Sequence, residues 1–113
     1  MPRVNKKYFS VYIVTNIHKT ILYTGVTNSL EERLIEHYRD RLDKKHFAGQ
    51  YNCHYLIFYE DYEYINDAIA REKEIKGWLR RKKIDLINTL NPAWKFLNED
   101  ILGEWPPAAS PGS

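Results

Sequence analysis

YFSVYIVTNIHKTILYTGV, residues 8–26, decides how this chain folds. Residues 8–14 are aromatic and β-branched, the composition of a strand. Residues 20–26 repeat that character. The polar run Thr15-Asn16-Ile17-His18-Lys19 between them has hairpin length. The pair therefore predicts an antiparallel hairpin, with Tyr12 and Tyr23 flanking its loop.

Working outward, Asn28 or Ser29 is placed to cap a helix, with Glu31 and Glu32 in the first turn, where acids suit the helix dipole. That helix carries Leu30, Leu34, Ile35, Tyr38 and Leu42 inward. Residues 43–52 read as a basic, polar loop holding Lys44, Lys45, His46 and Gly49. Residues 53–59 form a third strand, and their near-continuous apolarity predicts the centre of a small sheet. A helix follows over 65–79, then another over 80–90 with Ile84, Ile87 and Leu90 at helical spacing. Asn91-Pro92 stops it, because proline disfavours helical geometry in the residue before it. The order β-β-α-β-α-α predicts class α+β: a small three-stranded antiparallel sheet flanked by helices. Residues 1–97 are expected as one folded domain, and 98–113 as a flexible C-terminal tail rich in Pro, Ala and Ser.

Composition narrows the function classes. With 43% hydrophobic and 28% charged residues, the chain is globular rather than disordered, and its 113 residues suffice for one modest core. Cys53 is the single cysteine, so neither a disulfide framework nor a multi-thiolate zinc site is available. No apolar run approaches the roughly 20 residues that span a bilayer, and the first residues lack a hydrophobic segment. No membrane association is expected, and cytoplasmic residence is the default. The formal charge of +2 is unevenly spread: from position 96 onward there are three acids and no Lys or Arg. Between positions 71 and 83, seven basic side chains stand against Glu72 and Glu74. That local surplus is enough for a phosphate-facing patch, or equally for a solvated helix end.

Glu72 is the residue out of place. On a helical wheel Ile65, Ala68, Ile69, Ile75 and Leu79 form one stripe, and Glu72 falls near its centre. A carboxylate aimed at a core is costly unless it is paired, protonated or bound to a cation. Arg33 and His37, four apart, share one face of their helix, at the edge of its apolar stripe. Two phenols, an arginine, a histidine and a carboxylate brought together would suit phosphodiester chemistry. The carboxylate can hold Mg2+, the arginine can neutralise developing charge, and a phenol of lowered pKa or an imidazole can activate water.

Those residues and their spacing resemble the GIY-YIG nucleases. Ser10-Val11-Tyr12 and Tyr23-Thr24-Gly25 stand for the paired motifs, the second tyrosine eleven residues after the first. Arg33 lies ten residues beyond Tyr23. The resemblance covers about residues 7–97. It implies catalytic roles for Tyr12, Tyr23, Arg33, His37 and Asn91 (or Asn88), with Glu72 as the ligand of a single Mg2+ or Mn2+. It also implies DNA as partner and a DNA repair, recombination or mobile-element role; the basic segment and loop would then supply backbone contacts from Lys44, Lys45, Lys73, Lys76, Arg80 and Arg81. A separate specificity or recruiting protein is expected too, since no zinc finger or helix-turn-helix is present to choose a site. Ser10, Val11 and Thr24 depart from the motifs but suit a strand, and Val26 stands where some members carry lysine.

Each residue also has a plainer use. Tyr12 and Tyr23 can be cross-strand aromatics, Arg33 can pair with Glu36, and His37 can be a packed helix residue. Glu72 can pair with Arg33 or Lys76, and Asn91 can end its helix. His18, His46 and His54 show no cluster. Trp94 reads as core, and Trp78, off its helix's apolar stripe, can pack beneath the next helix or stack on a base. The rival function classes are a non-catalytic nucleic-acid-binding module and a protein-interaction domain.

Overall fold

The computed structural model of the chain describes residues 8–42, 45 and 52–107. Strand β1 (Phe9–Thr15) pairs antiparallel with β2 (Leu22–Thr27), placing Tyr12 opposite Gly25 and Val14 opposite Tyr23. Asn16 closes the hairpin: its carboxamide oxygen accepts from the backbone N–H of Thr20 at 2.8 Å and of Ile21 at 3.1 Å. Strand β3 (Tyr55–Tyr62) pairs antiparallel with the other side of β1, so the sheet order is β2-β1-β3.

The centre is therefore β1, and β3, expected there, is an edge strand. Its apolar run has a different cause. A register step passes Ile57 between the Ile13–Phe58 and Val14–Leu56 pairs, and Leu56, Ile57 and Phe58 are all fully buried. Chain from beyond position 90 covers the outer edge. Leu97 N–H donates to Leu56 O at 2.7 Å, and the Asn98 carboxamide bridges Leu56 N–H (2.7 Å) and His54 O (2.8 Å).

Helix α1 (Leu30–Arg39) is capped by Ser29, whose hydroxyl accepts from Glu32 N–H. Leu30 and Leu34 pack with Tyr12 and Val14 on one face of the sheet. His37 completes that buried stripe at 1% exposure, deeper than the stripe edge where it was expected, while Leu42 is 79% exposed. The spacing 30, 34, 37 explains this: the three positions fall within about 60° of one another on the helical wheel, so the histidine shares the buried stripe.

Helices α2 (Ile65–Lys76) and α3 (Arg80–Leu90) cover the other face. Ala68, Ile75 and Ile87 cluster there with Val11, Ile13 and Phe58. Helix α2 ends at Lys76, three residues short of the stripe's expected end, so Leu79 becomes the residue before α3 and is 83% exposed. Helix α3 stops at Leu90, as Asn91-Pro92 requires.

Residues 98–102, assigned by composition to the tail, form α4 (Asn98–Leu102), which a left-handed Gly103 (φ 79°) terminates. Ile101 and Leu102 pack against the α1-side core, and Trp105 against Tyr38. Apolar side chains and the Asn98 bridge outweigh the segment's turn-rich composition. Among the described residues no helix is long and apolar enough to cross a membrane.

Candidate active site

Tyr12 lies mid-strand on the α1 face at 1% exposure. Its ring needs the space opposite it to be empty. A Cβ on Gly25 would stand 2.4 Å from the Tyr12 hydroxyl, so the glycine of Tyr23-Thr24-Gly25 is required by close approach. The register puts Tyr23 on the same face. From α1, Arg33 and His37 reach down one helix face, and the phenol oxygen of Tyr12 joins them. Arg33 Nε donates to it at 3.1 Å, and His37 Nε2 lies 2.9 Å away. The Tyr23 ring meets His37 edge-on, with centroids 5.6 Å apart.

Hydrogen-bond accounting orders the protons. A guanidinium only donates, so the Tyr12 oxygen accepts from Arg33 and its own hydrogen goes to His37 Nε2. The histidine proton then sits on Nδ1, a buried atom with no hydrogen-bond partner among the described residues. Burial pushes the Tyr12 phenol up to about 12, against the pull of Arg33. Burial drives the His37 imidazole down to about 3, and the charges of Arg33 and His54 add to it. Burial also works against the Arg33 charge, but its bonds to Tyr12 and Glu36 hold it above its ordinary value. Tyr12 is thus a weak acid and His37 a weak base, the reverse of the lowered phenol pKa that water activation by Tyr12 called for.

Tyr12, Tyr23, Arg33 and His37 stand together. Glu72 belongs to α2, in the layer on the other side of the sheet, and its carboxylate pairs with Lys76 at 3.3 Å. Its side chain is 14% exposed, so the stripe does hold an acid, and the lysine one turn on compensates it. Arg33 also makes its plainer contact, Nη1 to Glu36 at 2.6 Å with Glu36 half-exposed.

As a metal ligand, Glu72 offers one hard oxygen donor group. Among the described residues no three His, Cys, Asp or Glu side chains gather. That donor set suits Mg2+ or Mn2+, which keep several waters and borrow phosphate oxygens, and does not suit zinc.

Asn91 is committed elsewhere. Its carboxamide donates to Ile57 O and Lys95 O, both at 2.9 Å, and accepts from Lys95 N–H at 3.0 Å, tying the end of α3 to β3. Asn88 accepts from the Trp94 indole at 2.6 Å. Of the basic side chains, Lys73, Arg80 and Arg81 are exposed, and Lys76 serves Glu72. Lys45 is exposed, whereas Lys44 lies outside the described residues. Arg71 is neutralised by Glu60 and Glu74, which shrinks the expected patch. Four cations, Arg80 to Lys83, nonetheless open α3 with no acid among them, adding to its positive dipole end. Trp78 packs against the α2–α3 core with Arg71 and Lys82 over its ring. Sequence reading missed His54, which is buried and bears on His37; no local spacing announced it.

A family model described as the GIY-YIG catalytic domain matches residues 8–85. No curated protein and no solved structure matches the chain.

Proposed function

The chain belongs to the GIY-YIG family of nucleases, and from that premise we propose that it is a divalent-metal-dependent endonuclease that hydrolyses DNA phosphodiester bonds. The observation that carries this reading is the Tyr12 hydroxyl joining Arg33 and His37 on one face of the matched domain.

Roles follow from burial and charge. Tyr12, sealed at 1% exposure, does not touch substrate; with His37 it is a fixed post that aims the guanidinium. Among the described residues Arg33 Nη2 takes no hydrogen bond, and it neutralises the charge that develops on the phosphate. Tyr23, half-buried on the same face, is the phenol that meets and orients the attacking water. Glu72 would hold the single Mg2+ or Mn2+, which when bound would stabilise the leaving oxygen. Lys45, Lys73, Arg80 and Arg81 would hold the DNA backbone. Asn91 secures α3 and takes no part in the reaction.

Ion-dependent nicking of labelled DNA by wild type, Arg33→Ala, Tyr23→Phe and Glu72→Ala tests this. Arg33→Ala should slow cleavage about a hundredfold or more, with the fold intact. Equal cutting by all four proteins would refute the assignment. The rival, a non-catalytic nucleic-acid-binding module of the same fold, draws support from the Glu72–Lys76 ion pair. It predicts DNA binding indifferent to Mg2+, whereas the nuclease reading predicts that Mg2+ strengthens binding through Glu72.

A further inference from the structure

Five aromatic rings run past the end of the sheet where β1 stops and β3 starts. Phe96 stacks on Tyr55 with centroids 4.3 Å apart and 22° between planes. Tyr55 lies 4.4 Å from His54, and His54 meets Tyr38 edge-on at 5.5 Å. Trp105 closes the group at 5.1 Å from Tyr38. Each end carries a cation. Lys19 Nζ stands 5.1 Å from the centre of the Phe96 ring, and the Arg41 guanidinium lies 3.7 Å from that of Tyr38. Lys19 is exposed, and every ring except His54 is half-buried, so the column presents ring area to solvent. It begins beside the catalytic face: Tyr38 follows His37 in α1.

We propose that this column is a stacking platform for unpaired nucleotides, so that the substrate is a DNA strand leaving its duplex next to the cleaved bond. The inference rests on the nuclease reading above. Bases in a duplex stack on each other and offer no free face, whereas an unpaired base stacks on any ring without regard to sequence. A lysine or arginine over an outer ring face can give way to a base and pair with its phosphate instead. The α3 cations lie on the other layer, available to the duplex arm.

The test is fluorescence anisotropy in EDTA, with a labelled thymidine strand of about 15 nucleotides and a blunt duplex of equal length. The proteins are wild type, Phe96→Leu, and the double variant Lys19→Gln/Arg41→Gln; Lys19 is exposed, and Arg41 is half-buried with one bond to Tyr38 O. Wild type should prefer the single strand. Phe96→Leu should lose about tenfold on the strand and less than about twofold on the duplex. The double variant should shift in the same direction. Equal losses on both ligands would mean that the column only supports the fold, and would overturn the proposal, as would strand binding unchanged in both variants. Cleavage of a forked duplex with Mg2+ is scored in parallel. Cutting by wild type without strand-selective binding refutes the platform alone; strand-selective binding without cutting supports the platform and refutes the nuclease reading.

Discussion

Replacing Tyr12 by phenylalanine removes one oxygen that two partners use at once. The hydroxyl donates to His37 Nε2 at 2.9 Å and accepts from Arg33 Nε at 3.1 Å. Arg33 is one-third exposed, so water replaces that lost contact at little cost. His37 is 1% exposed and its Nδ1 already lacks a partner among the described residues, so the imidazole would be left with neither nitrogen bonded there. An orphaned buried polar group costs about 1–3 kcal/mol. For a domain of this size that lowers Tm by about 4 °C per kcal/mol. In a His37→Leu background the orphan no longer exists, so the same change should cost only about 0.5–1 kcal/mol. Urea unfolding of wild type, both single variants and the double variant closes the cycle, with an expected coupling of about 1–2 kcal/mol. Single-variant effects that add to within about 0.3 kcal/mol would show that the phenol and imidazole do not share a hydrogen bond.

Gly25→Ala should force the Tyr12 ring aside, costing about 1–3 kcal/mol of stability and most of the cleavage activity together. Gly77→Ala is the control: its Cβ would meet only backbone carbonyls at 3.6 Å, so equal effects of the two alanines on unfolding would refute the close-approach reading. Stability should fall as pH drops below 6.5. Burial lowers His37 to about 3 and His54 to about 4, so the unfolded chain takes up protons that the folded protein refuses. Near pH 5.5 each histidine should cost about 1.3 kcal/mol relative to neutral pH, and His37→Leu should halve the combined decline. Parallel unfolding profiles for wild type and His37→Leu would contradict it.

Local features were legible in the residues themselves. The Ser29 cap, the hairpin, α3 and its stop at Asn91-Pro92 are decided by propensities and hydrogen bonds within a few positions. Motif spacing likewise anticipated that Tyr12, Tyr23, Arg33 and His37 come together, since strand alternation and the helical turn place such side chains on common faces. The sheet order was not legible, because β3 owes its burial to Asn98 and Leu97, some forty residues away in sequence. Nor was the chemistry of each group. Whether a phenol is a base or a post depends on the dielectric around it, which α1 and the sheet create only when packed. Glu72 shows the division most plainly. Periodicity placed an acid inside a stripe, while tertiary structure set that stripe on the far face of the sheet and gave the acid Lys76 for company. Periodicity says which way a side chain faces along its own helix; only the pairing of strands and layers says what it faces.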